Sequence, residues 1–103
     1  MPERVTFDDA GVVRTMGDGT RESVRWDELE AVLILTTDEG PFREDVFWLL
    51  KGREGGCAVP GGAEGMDRLL TRLQALPGFD NEAVIRAMSS TEDATFLCWR
   101  SER

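Results

Sequence analysis

The chain has 103 residues, 20 acidic and 12 basic side chains and a net charge of −8; 41% of its residues are hydrophobic and 31% charged. That is the length of one domain and the balance of a globular chain, not a disordered one. The acidic excess argues against docking on nucleic-acid phosphates or anionic membranes, and the absence of His and Tyr removes the commonest general base, the commonest metal ligand and every Ser-His or Cys-His arrangement.

Val5 and Phe7 alternate with Arg4, Thr6 and Asp8, the period of a half-buried strand. Asp8-Asp9-Ala10-Gly11 reads as a turn, with Gly11 free to take positive φ. Val12 to Met16 is a second strand, and Met16 to Thr20 is a hairpin loop centred on Asp18-Gly19. The third strand, Arg21 to Trp26, opens the stretch around which the chain is organised, Glu22 to Thr37. Val24 and Trp26 share one face, and Trp26 is expected to anchor the corner after it. Asp27 has the chemistry of an N-cap, Glu28 and Glu30 place negative charge at the start of a helical turn, and Leu29 returns to the core. Ala31 to Leu35 is a short apolar run closed by two threonines, which predicts a buried strand.

Thr36 to Asp45 is strongly polar and is expected to be an exposed loop. Phe42 stands alone in it, either folded back on the core edge or exposed as a partner's anchor. Val46 to Leu50 is apolar on both faces, which predicts a central strand covered on both sides. Lys51 to Gly56 reads as a turn, and Cys57 to Val59 as a short strand ended by Pro60.

Met66, Leu69, Leu70, Leu73 and Leu76 recur at the spacing of one helical face, and Pro77-Gly78 ends that helix. Asp80 is an N-cap for a second helix over 80–89, with Phe79 and Val84 as its staple and Val84, Ile85 and Met88 as its apolar side. Ala94 to Trp99 alternates again, with Phe96 and Cys98 opposite Leu97 and Trp99, so a last strand closes the sheet.

Cys57 and Cys98 sit in apolar surroundings and read as reduced, buried thiols; a bridge between them is allowed but not required. Neither belongs to a Cys-x-x-Cys pair. The glycine-rich stretch 55–62 lacks the Lys-Ser/Thr pair of a phosphate loop. The paired acids Asp8-Asp9, Asp38-Glu39, Glu44-Asp45 and Glu92-Asp93 lack the alternating ligands of a calcium loop. No catalytic residue, metal ligand or cofactor is assigned, and the chain is read as non-enzymatic. No apolar stretch is long enough to span a bilayer, and the N-terminal residues lack a signal peptide's pattern, so a cytoplasmic location is expected.

The meander, the Val24-Arg25-Trp26-Asp27-Glu28-Leu29-Glu30-Ala31-Val32 turn, the Phe47-Trp48-Leu49-Leu50 strand and the helix after it resemble the pleckstrin-homology-like pattern of small bacterial domains. The likeness covers roughly residues 4 to 76; the helix at 80–89 and the strand at 94–99 are additions to it. The whole chain also resembles a group of small bacterial proteins ending in a Leu-Pro-Gly-Phe-Asp-Asn…Phe-Leu-Cys-Trp segment. The resemblance implies an α+β fold, a bent antiparallel sheet forming a barrel or half-barrel, capped by an amphipathic helix. It also implies a tendency to bind peptides, lipids or proteins.

The expected function is therefore that of a single-domain cytoplasmic protein-interaction module. Its candidate contacts are Asp38, Glu39, Phe42, Glu44 and Asp45, and its charge suits a basic partner. Alternatives are an acidic inhibitor or immunity-type protein neutralising a basic enzyme, and a small-ligand binder with a pocket between sheet and helix. A homodimer is also open, paired through an apolar sheet edge or the outer face of the 46–50 strand.

Overall fold

The computed structural model describes residues 3–38, 46–90 and 92–101. Seven strands and two helices follow one another in an α+β arrangement. They are β1 (Arg4–Phe7), β2 (Gly11–Thr15), β3 (Arg21–Arg25), β4 (Leu29–Thr36), β5 (Val46–Gly52), β6 (Gly56–Pro60), α1 (Met66–Gln74), α2 (Asn81–Met88) and β7 (Ala94–Arg100). The strands form two antiparallel sheets, β1-β2-β3 and β6-β5-β4-β7. The sheets are not closed into a barrel. A single 3-10 turn, Trp26–Glu28, carries the chain from one to the other.

The meander forms as its alternation and turn residues require. The Asp8 carboxylate accepts the Ala10 and Gly11 amides at 2.8 and 3.1 Å. Gly19 takes φ +89° in the second hairpin, as its Asp-Gly pair predicts. Gly11 differs from expectation, for it is not among the positive-φ glycines. It is needed for close approach, since a Cβ there would stand 2.3 Å from the Val24 carbonyl oxygen across the β2–β3 pair.

The corner also differs in detail. The 3-10 turn begins at Trp26, so Asp27 lies inside it, caps nothing, and pairs with Arg25 at 3.2 Å. Glu30 has left the turn and falls at a bulge in β4. Trp26 does anchor the corner. Its indole N–H donates to the Asp8 carbonyl at 2.7 Å, Phe7 meets it edge-on with centroids 6.5 Å apart, and the Arg72 guanidinium of α1 lies 4.3 Å from the ring centroid. A half-buried indole with its N–H satisfied and a cation over its face ties sheet, turn and helix together.

One core collects Val12 and Val24 from the first sheet, Ile34, Trp48 and Val59 from the second, Leu69 and Leu73 from α1, and Ala87 from α2. Gly65, at φ +92°, opens α1 where a Cβ would lie 2.3 Å from the Val5 carbonyl oxygen. Asp80 caps α2 as expected, accepting the Glu82 and Ala83 amides at 3.0 and 3.1 Å.

The apolar side of α2 is corrected in part, for Val84 packs against the core as expected but Ile85 and Met88 do not. Ala83 and Ala87 are its buried residues, whereas Ile85 is 66% and Met88 52% exposed. Two alanines four apart let the helix lie close on the sheet, and close approach outweighs the larger side chains' hydrophobicity. Thr36 is likewise not loop but the last residue of β4; its buried hydroxyl donates to the Glu92 carbonyl at 2.7 Å. In β7 the register shifts opposite Val32 and Leu33, so Trp99 pairs with Val32 and packs against the core edge. It does not share Leu97's face, and its indole N–H donates to the Pro77 carbonyl at 2.8 Å.

Candidate interaction surface

Of the residues read from the sequence as partner contacts, Asp38 is exposed at the end of β4, and its amide donates to the Asp93 carboxylate at 3.2 Å. Glu39, Phe42, Glu44 and Asp45 lie outside the described residues. Cys57 and Cys98 are buried and unbridged. Burial is the main cause pushing both thiols up to about 11, with the Glu22 carboxylate adding to it at Cys57 and Asp80 at Cys98. A thiol held neutral in this way is a poor nucleophile. Among the described residues no group of three or more Cys, Asp or Glu side chains is placed to hold a metal ion.

The surface with the clearest chemistry is the outer face of the four-stranded sheet. Successive side chains of a strand point to opposite faces. In β4, Val32, Ile34 and Thr36 are buried while Ala31, Leu33 and Leu35 alternate with them, half-buried. In β5, Trp48 and Leu50 go to the core while Phe47 and Leu49 face the other way. The pairing registers line these outward residues up in rows. Leu35 lies between Phe47 and Thr95; Leu33 lies between Leu49 and Leu97, with Ala58 beyond Leu49. Leu97 is 46% exposed.

None of Leu33, Leu35, Phe47, Leu49, Ala58 and Leu97 belongs to the core or packs on it. Both helices and the three-stranded sheet put their buried residues on the opposite face. The expectation that the 46–50 strand is covered on both sides is therefore corrected: it is central in the sheet, but among the described residues the elements that cover it lie on one face. Two helices and a second sheet suffice for one face only. The signal for this surface was legible as the double-sided apolarity of 31–35 and 46–50, but that pattern alone does not say whether a covering layer comes from the same chain.

Charge is polarised between the two ends of these strands. The next row places Ala31 between Lys51 and Arg100. Neither cation is in an ion pair among the described residues. The other end of the same strands carries Asp38, Glu92 and Asp93, all exposed. An open concavity of about 350 Å³ lies beside the β5–β6 edge, lined by Leu33, Leu49, Ala58, Lys51 and Glu22 among others.

The sheet edges offer less. Glu22 accepts the outward amide of Ala58 on β6 at 3.1 Å. The Asp80 amide donates to the Cys98 carbonyl of β7 at 2.7 Å, and Glu64 exchanges backbone bonds with Glu3 and Val5 along β1. Occupied edge groups leave little for strand addition. A smaller apolar groove of about 310 Å³ runs between β5, α1 and α2, lined by Trp48, Leu70 and Met88. No helix among the described residues is long and apolar enough to cross a membrane. The chain matches no family model, no curated protein and no solved structure.

Proposed function

We propose that the protein is a non-enzymatic interaction module of the cytoplasm that docks a protein partner on the outer face of its four-stranded sheet. The observation that carries this reading is the pair of apolar rows centred on Leu33 and Leu35, outside the core and continuous across the sheet. Burying such surface releases about 25 cal/mol per Å², a force that a solvated face leaves unused. The two unpaired, buried cysteines fit a reducing compartment, and the pleckstrin-homology-like likeness of the Val24–Val32 turn fits a binding role. The net charge of the chain favours a basic partner, but a partner on this face meets Lys51 and Arg100. It therefore carries acidic groups at that end.

The test is affinity capture with the tagged wild type and with Leu49→Glu, both checked for folding by circular dichroism and urea titration. Loss of co-purifying chains in the variant is expected. An unchanged set of captured chains removes the docking role from this face.

A further inference from the structure

Resting on that reading, we propose that the occupant is a second copy of this chain, paired face to face about a two-fold axis that runs in the interface across the strands. The argument is charge complementarity. The face is apolar in the middle and basic at the end carrying Lys51 and Arg100, while the opposite ends of β4 and β7 lead into the exposed Asp38 and Asp93. A two-fold axis along the strands would stack the basic ends on each other. An axis across the strands reverses strand direction, so the basic end of each copy lies over the acidic end of the other. Arg100 and Asp93 flank the same strand, β7, at opposite ends, so they are brought into register by that operation, with Lys51 of one copy near Asp38 of the other. The Leu33 row of each copy then meets the Leu35 row of the other, a reciprocal contact as an isologous interface requires. Aligned sheet packing of this kind places two faces about 10 Å apart with their side chains interdigitated.

The size of the face sets the strength. With strands about 4.8 Å apart and about 3.3 Å of rise per residue, a face four strands wide and seven residues long presents roughly 430 Å². Two copies bury roughly 900 Å², below the range of about 1,200–2,000 Å² for stable complexes. The pairing is a weak, concentration-dependent one.

Sedimentation velocity of the full chain tests it, over about 10 μM to about 1 mM, the range in which small interfaces dissociate. The weight-average mass is expected to rise from one chain toward two, and to fall back with added salt. Lys51→Glu with Arg100→Glu is expected to weaken self-association about tenfold or more at low salt. Asp38→Lys with Asp93→Lys has the same effect, and mixing the two double variants restores the two-chain mass. A wild type that stays at one chain throughout overturns the second-copy assignment, as does association that survives Leu49→Glu. If the wild type stays single, the capture experiment still separates the two ideas. Loss of captured partners in Leu49→Glu keeps the docking face with a different occupant, and no loss removes both.

Discussion

The carboxylate of Glu22, on β3, accepts the Ala58 amide of β6 at 3.1 Å and the Arg14 guanidinium of β2 at 3.1 Å. One side chain thus closes the open edge of the second sheet and fastens the first sheet to it, while Arg14 also pairs with Glu3. The Arg14 side chain is only 14% exposed, so removing an acceptor leaves donors with little water to turn to. Glu22→Ala is expected to destabilise the fold by about 1–3 kcal/mol, the cost of stranding a partly buried charged group. A urea titration of the two proteins checks it, and a midpoint unchanged within error would show that the edge amide and Arg14 find other partners.

Gly65 and Gly78 both hold positive φ, +92° and +81°. They differ in what surrounds them. A Cβ on Gly78 meets nothing within 4 Å, while one on Gly65 stands 2.3 Å from the Val5 carbonyl oxygen. Gly78→Ala is therefore expected to cost about 1–2 kcal/mol, the left-handed penalty alone. Gly65→Ala adds the displacement of β1 from the start of α1 and is expected to cost at least about twice that. Thermal melts of the two variants give the comparison. Equal losses would mean that β1 shifts freely.

Much of this fold was legible from local pattern. The Asp18-Gly19 hairpin, the Asp80 cap and the α1 stripe from Met66 to Leu73 each depend on neighbours within a few residues and form as read, though α1 ends at Gln74 and leaves Leu76 beyond it. Where the sequence misled, distance was the reason. Nothing near Gly11 in the chain announces the Val24 carbonyl that excludes a Cβ there. The Ile85 and Met88 side chains look like a buried face until Ala83 and Ala87 are seen seated on the sheet. The candidate surface was half legible. The double-sided apolarity of β4 and β5 was plain, but whether a further layer covers it depends on how many layers the remaining chain supplies. The acidic 38–45 stretch stands out more in the sequence, and of it Asp38 alone is among the described residues.

The two thiols predict an alkaline limb of stability. Both are raised from an ordinary value near 9 to about 11, chiefly by burial. A group whose folded value lies above its unfolded value leaves stability untouched below the unfolded one. That stability is lost as pH rises toward the folded one, because the unfolded chain releases the proton first. Stability is thus expected to fall between pH about 9 and about 11. The chain has no Tyr, so no phenol titrates in that window. Cys57→Ala combined with Cys98→Ala is expected to flatten the limb while lowering stability at neutral pH through lost packing. Urea midpoints measured across pH 7 to 11 for both proteins decide it, and an equally steep limb in the variant would assign the loss to groups other than the two thiols.

Leu49 and Leu50 are chain neighbours with opposite duties. Leu50 is 1% exposed in the core, opposite Val32 and Cys57; Leu49 faces outward between Leu33 and Ala58. Leu50→Ala empties a close-packed site, and the expected cost is about 2–5 kcal/mol. Leu49→Thr places a β-branched residue, which suits a strand, on a half-buried strand face and is expected to change monomer stability by less than about 1 kcal/mol. Self-association should respond in the opposite order. Leu49→Thr removes apolar surface from the middle of the paired face and is expected to weaken it, whereas Leu50→Ala, while folded, leaves that face intact. Urea titration at low protein concentration and sedimentation at high concentration, run on both variants, separate the two effects. If Leu50→Ala disrupts association as much as Leu49→Thr does, the pairing surface depends on the core and not on the outer rows.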